Sequence, residues 1–153
     1  MFSLFSKKAV SYFSAAEQEQ IVQAIREAEL KTSGEVRVYI ESRCSYIDPV
    51  RRAKEIFSNL KMYKTASRNA ALVYVAMKDK QLAVFGDEGI HQKVGDTFWN
   101  EEVKNMLSHF NKQNYATGIA GVVKSIGEAL EAHFPYDSLT DKNELPDEIV
   151  FGK

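Results

Sequence analysis

Residues 70–77 read Ala-Ala-Leu-Val-Tyr-Val-Ala-Met, an unbroken apolar run with the length of a β-strand. Alternating apolar and polar residues indicate a strand buried on one face, whereas a continuous apolar run indicates burial on both faces. We therefore expect this segment to be the central strand of a sheet that helices cover on both sides. Four polar residues, 78–81, separate it from the apolar stretch 82–85, and so short a connection favours an antiparallel hairpin.

Helix and strand signals flank this hairpin. Ser14 and Glu17 have the spacing of a capping box, which predicts a helix that continues to about Leu30. Residues 35–41 alternate, with Val36, Val38 and Ile40 on one side, and predict a strand with one apolar face.

The remaining elements are predicted from caps and apolar periodicity. Asp48 before Pro49 indicates the start of a second helix. A short helical turn is expected after residue 89, then a long helix capped by Asp96 and a last helix beginning at Thr117. Residues 148–151 are a candidate edge strand.

This order predicts an α/β fold, a three-layer α-β-α sandwich with a small central mixed sheet of about four strands. We expect the first helix on one face and the last two helices on the other. The predicted organisation is an N-terminal arm at residues 1–13, an α/β domain at 14–135 and an acidic, extended tail at 136–153.

Composition narrows the classes of function. The 153 residues suit one domain, and 20 basic against 21 acidic residues provide no bulk field that would attract nucleic acid. The single cysteine, Cys44, excludes an internal disulfide and a multi-cysteine zinc site. No apolar run approaches the ~20 residues of a membrane span, and the first residues do not read as a secretory signal. Cytoplasmic localisation is therefore expected.

Standard catalytic patterns are missing from the sequence, including the glycine-rich phosphate loops, the nucleophile elbow and the zinc-binding H-E-x-x-H motif. Six positions after Cys44, where a cysteine phosphatase needs its arginine, the residue is Val50. We interpret Cys44 as an ordinary thiol. His91, His109 and His133 are interpreted as helix residues without a ligand role.

The acidic segment Gly86-Asp87-Glu88-Gly89 is the candidate site. It follows a predicted strand, and its two carboxylates are the hard oxygen ligands that calcium, magnesium and manganese prefer. Asp96 lies a short distance along the chain, and Glu35 joins the site if the two strands are neighbours. Composition alone favours the alternative, a glycine turn that carries solvated acids, with Asp96 as a helix cap.

Several segments together resemble the TPM domain, a family named for a thylakoid lumen protein, a photosystem II repair factor and a receptor modulator. The resembling segments are residues 32–38, 68–75, 84–90 and 110–129, and residues 133–136 and 143–149 resemble stand-alone bacterial members.

The resemblance implies an α-β-α sandwich with two crossing loops that divalent metals stabilise, calcium being the first candidate and magnesium the second. It places metal ligands at Asp87 and Glu88 and, less directly, at Glu35 and Asp96. Residues 64–69 would form the crossing loop and offer oxygens from Thr65, Ser67 or Asn69.

Three functions follow from these observations. The first is a non-catalytic metal-binding domain whose loops order around the ion and serve a regulatory role or bind an unidentified protein partner. The second is a metal-assisted acid phosphatase, as described for some plant members, with Arg68 and Arg37 as candidate substrate clamps. The third is a metal-free interaction module.

Overall fold

The fold is described from a computed structural model for residues 12–45, 48–136 and 149–152. Most of the predicted arm (residues 1–11) and much of the predicted tail (137–148) lie outside the described residues. The helices and strands are α1 (Ala15–Glu29), β1 (Glu35–Glu41), α2 (Pro49–Asn59), β2 (Ala70–Ala76), β3 (Gln81–Gly86), α3 (Glu88–Asn111), α4 (Tyr115–His133) and β4 (Ile149–Phe151).

The sheet has four strands in the order β3-β2-β1-β4. β1 runs parallel to both β2 and β4, while β2 and β3 form the antiparallel hairpin, so the sheet is mixed. Every residue of β2 is buried. The predicted interior strand, the hairpin and the edge strand near the C-terminus are all confirmed.

The start of α1 follows from the predicted cap. The backbone N–H of Glu17 donates to Ser14 Oγ at 3.1 Å, and the backbone N–H of Ser14 donates to Glu17 Oε1 at 2.8 Å. These two bonds satisfy donors that the first helical turn leaves without partners. Ile21 and Ile25 then point into the core and are fully buried, so local capping and apolar spacing together position this helix.

The distribution of helices over the two faces differs from the prediction. α1 and α4 pack on the same face of the sheet, against the apolar side chains of β1, and α2 covers the opposite face. The expectation of the first helix on one face and the last pair on the other is wrong. The close contact of α1 with α4 explains the pairing: a Cβ at Gly127 would lie 2.6 Å from Ala28 Cβ, a distance that requires glycine.

The segment α3 consists of two helical pieces, as the predicted short turn and following long helix indicated. The first piece begins at its N-cap, Asp87. Gly95, with φ 77° and ψ 175°, breaks the helix just before Asp96, where the sequence predicted a new start. The last helix, α4, begins at Tyr115 rather than at Thr117. Among the described residues, no helix combines the length and hydropathy that crossing a bilayer requires.

Candidate metal centre at the sheet edge

The strand register brings two of the predicted acidic residues to one edge of the sheet. Glu35 opens β1 opposite Ala70, the first residue of β2. Asp87 follows the last residue of β3, and its backbone N–H donates to Ala70 O at 2.9 Å. Neighbouring strands are about 4.8 Å apart, so Glu35 and Asp87 lie on either side of Ala70 with their backbones about 10 Å apart. Glu35 is 3% exposed.

Asp87 is buried, and Arg68 pairs with it. The Arg68 Nε donates to Asp87 Oδ2 at 2.7 Å, and a terminal guanidinium nitrogen donates to Oδ1 at 2.9 Å. Asp87 Oδ1 also accepts the backbone N–H of Glu88 at 2.8 Å, which caps α3. Two planar groups joined by parallel hydrogen bonds form a strong, directional ion pair. The Asp87 charge is therefore compensated inside the protein.

Glu88 joins the same arginine from the solvent side. Its carboxylate lies 2.9 Å from Arg68 Nη1, and its side chain is 61% exposed. The hydrogen bonds to Asp87 raise the pKa of Arg68, with a further contribution from the charge of Glu88. One half-exposed guanidinium thus holds both carboxylates that the sequence nominated.

The loop at residues 64–69 contacts the start of α3, as the family resemblance implied for two crossing loops. The backbone N–H of Gly89 donates to Arg68 O at 2.8 Å. A Cβ at Gly89 would lie 2.1 Å from Ser67 O, so this close approach requires glycine. Arg68 itself has φ 51°, a left-handed conformation that turns its carbonyl toward Gly89.

Asn69, the last residue of this loop, has a buried amide oxygen with no hydrogen-bond partner among the described residues. Its backbone N–H donates to Thr65 Oγ1 at 3.1 Å, and its Nδ2 donates to Ser33 Oγ at 3.3 Å. The residue is 1% exposed. A buried acceptor without a donor is unfavourable, and it is also the kind of oxygen that binds a hard cation.

Asp96 lies apart from the Arg68 pair. Its side chain is 89% exposed, and Oδ1 is 3.6 Å from Nε2 of His91. His91 Nδ1 in turn accepts the indole N–H of Trp99 at 3.0 Å, a bond that the sequence did not indicate. Among the described residues, no group of three or more His, Cys, Asp or Glu side chains is arranged to hold a metal ion.

At the opposite edge of the sheet, sequence reasoning missed a buried polar network. Arg52 donates to both oxygens of Glu41 at 2.9 Å, and the Tyr74 hydroxyl hydrogen-bonds to the same carboxylate. Burial, followed by the bond to Glu41, raises the pKa of Tyr74. A signal for this network was present in β1, whose second face carries Arg37, Tyr39 and Glu41. If that face is also buried, its charged side chains must pair with opposite charges or hydrogen-bond partners.

Comparison with known proteins then decides the family. The model of the TPM domain matches residues 7–129. The chain belongs to the TPM domain family. No curated protein matches the sequence.

Solved structures support the same fold for this TPM domain. It is similar to the BA42 protein from the psychrophilic bacterium Bizionia argentinensis, solved by NMR, with 38% identity and a TM-score of 0.84 over 99% of this chain and 100% of that chain. It is also similar to the N-terminal domain of the cg2496 protein from Corynebacterium glutamicum, with 11% identity, a TM-score of 0.63 and coverage of 92% and 81%. The second likeness concerns the fold alone.

Proposed function

We propose that this TPM domain is a non-catalytic divalent-metal-binding domain, with calcium as the first candidate ion and magnesium as the second. Asp87 and Glu88 are the proposed carboxylate ligands. Metal-dependent ordering of the 64–69 loop against the start of α3 would serve a regulatory role or bind a protein partner. The observation that supports this is the shared arginine. Arg68, in the 64–69 loop, provides the positive charge that neutralises Asp87 and Glu88 at the start of α3, and a bound ion would provide the same charge.

The chemistry of the donors at this edge supports a hard cation, provided that Arg68 moves aside. Asp87 and Glu88 offer carboxylate oxygens, and Asn69 offers its buried amide oxygen. Glu35 is the first residue of β1, which β2 separates from β3, and it is a further candidate ligand. The Arg68 side chain is 45% exposed, so its guanidinium can turn into solvent. Asp96, which contacts His91, is not part of this proposed set.

Two substitutions with opposite expected effects test the proposal. Asp87→Asn removes one negative ligand and should abolish most calcium affinity, because affinity depends on the number of charged ligands. Arg68→Gln removes the competing cation and should bind calcium more tightly than the parent. Calorimetric titration measures both, and Glu131→Gln, an exposed acid on α4, is the matched control.

Stability supplies a second readout. An ion at 100 times its dissociation constant stabilises the folded state by about 2.7 kcal/mol, so millimolar calcium should raise the melting temperature and a chelator should lower it. A melting temperature that calcium and magnesium leave unchanged would contradict metal binding and favour the metal-free interaction module.

A metal-assisted acid phosphatase is the second candidate, since the matching family model carries the word phosphatase in its name. The geometry gives this candidate little support, because one proposed substrate clamp is buried and the other is already ion-paired. Arg37 is 7% exposed, and Arg68 pairs with two carboxylates. We expect negligible hydrolysis of p-nitrophenyl phosphate with or without metal. Metal-dependent turnover that Arg68→Ala abolishes would reverse the order of the two candidates.

A further inference from the structure

A second polar site lies away from the sheet edge, where α3 and α4 meet. The two helices enclose a half-open cavity of about 270 Å³. Its walls include Glu102, Asn105 and His109 from α3 and Ser125 from α4. None of these residues belongs to the proposed metal centre.

Glu102 is the chemically distinctive residue of this cavity. It is 6% exposed, and its Oε2 accepts a hydrogen bond from Ser125 Oγ at 2.7 Å. Burial raises the pKa of Glu102, the nearby Glu128 and Glu101 raise it further, and the Ser125 bond lowers it. Among the described residues that line the cavity there is no lysine or arginine. A buried carboxylate therefore has a hydroxyl where Glu41 and Asp87 each have a guanidinium.

Gly121 keeps one wall of the cavity open. A Cβ at this position would have no atom within 4 Å, so packing does not demand glycine there. Gly118, by comparison, lies so close to His109 that a Cβ would come within 2.8 Å of its side chain. Glycine inside a helix is about 1 kcal/mol less favourable than alanine. Gly121 thus leaves this wall of the cavity open at a position where the helix itself would favour alanine.

We infer that this cavity binds a small primary ammonium ion, with the Glu102 carboxylate as its counter-ion. An ammonium group has three N–H donors and no acceptor. The residues that line the cavity carry acceptor groups of this kind, namely the Glu102 carboxylate, the Ser125 hydroxyl and the amide of Asn105. Its volume lies below the roughly 300–1,000 Å³ of sites for drug-sized molecules, which suits a ligand of few heavy atoms. An anion is repelled by Glu102.

Methylammonium chloride is the probe, and tetramethylammonium chloride is its control, with the same charge and no N–H donor. Both are titrated into the ¹⁵N-labelled full chain at neutral pH with chelator present, so that the result does not depend on the proposed metal centre. We expect saturable shifts of the Gly118 and Gly121 amides with methylammonium alone. Acidification should weaken binding, because protonation removes the counter-ion, and the loss should begin above the usual Glu pKa of about 4.3 because the pKa of Glu102 is raised.

Variants assign the effect to Glu102. Glu102→Gln preserves shape and should weaken methylammonium binding about tenfold or more, as expected for loss of a charged hydrogen-bond partner. Glu101→Gln, the exposed neighbour, should bind as the parent does. Gly121→Leu fills the cavity while favouring helix, and it should abolish binding even if Glu102→Gln fails to fold.

Three results would overturn the inference. The first is equal shifts from methylammonium and tetramethylammonium, which would indicate an ionic-strength effect. The second is parental affinity in Glu102→Gln or in Gly121→Leu. The third is a set of shifts that excludes Gly118 and Gly121.

Discussion

Different interactions stabilise the two faces of β1. Val36, Val38 and Ile40 face α1 and α4 in an aliphatic core, and all three are fully buried. On the other face the same strand carries Arg37 and Glu41, both less than a tenth exposed. The aliphatic face gains stability from area removed from water, whereas the polar face must pair each charge as it is buried.

This difference implies two kinds of sensitivity. A truncation on the aliphatic face leaves a cavity, and its effect depends on volume. A substitution on the polar face leaves a buried charge without its partner, and the loss of stability depends on whether that charge finds another hydrogen bond or ion pair. Two further buried acids extend the comparison, because Asp87 pairs with Arg68 while Glu102 accepts a hydrogen bond from a serine.

Ile40→Ala should give the largest loss. The side chain is fully buried in the aliphatic core, and the expected decrease in the free energy of unfolding is about 3–4 kcal/mol. Urea denaturation with an unchanged m-value measures it. A loss below about 1 kcal/mol would show that this face can repack, which the volume argument does not allow.

Arg52→Met should come next, with a loss of about 3 kcal/mol, because it leaves the Glu41 carboxylate buried without its guanidinium. The double variant Glu41→Gln/Arg52→Met should recover much of this loss, since the remaining charge is also removed. A double-mutant cycle measures the coupling. If the effects of the two single substitutions are additive, Glu41 and Arg52 are coupled no more strongly than an exposed ion pair.

Replacing Asp87 separates the cap from the ion pair. Asp87→Ala removes both and should destabilise by about 1–2 kcal/mol, mainly through the lost helix cap. Asp87→Asn retains a good capping side chain, so its loss in the metal-free protein should be smaller. Hydrogen exchange of the first turn of α3 reports the cap directly. Equal protection in the two variants would contradict a capping role.

Glu102→Gln should produce the smallest change, and it should be a gain. Burial raises the pKa of Glu102, so folding disfavours the charged form relative to the unfolded chain, and the parent loses stability as pH rises from the unfolded value of about 4.3 through the folded pKa. Glutamine has no such titration. The stability difference between variant and parent should therefore be absent at low pH and present at neutral pH. Chemical denaturation across this range measures it, and a difference independent of pH would exclude titration as its cause.

Local patterns in the sequence determined much of the fold. The apolar run at β2, the short connection before β3 and the capping box at α1 each depend on residues within a few positions of one another. Sequence also nominated Asp87 and Glu88, because adjacent carboxylates between glycines are visible without a fold. The start of α3 was less predictable, since Asp87 was nominated as a ligand and is also the N-cap of the first helical piece, whereas the break at Gly95 lies just before Asp96, the predicted cap.

Tertiary structure decided which charges meet. Arg68 reaches Asp87 across 19 positions of sequence, and Ser125 reaches Glu102 across 23. Neither pairing follows from periodicity or propensity, because these describe one element at a time. The shared face of α1 and α4 likewise depends on the close contact of Ala28 with Gly127. The sequence therefore determined the acids and the strands, and packing between distant segments decided that Asp87 pairs with an arginine, Glu41 with an arginine and a tyrosine, and Glu102 with a serine.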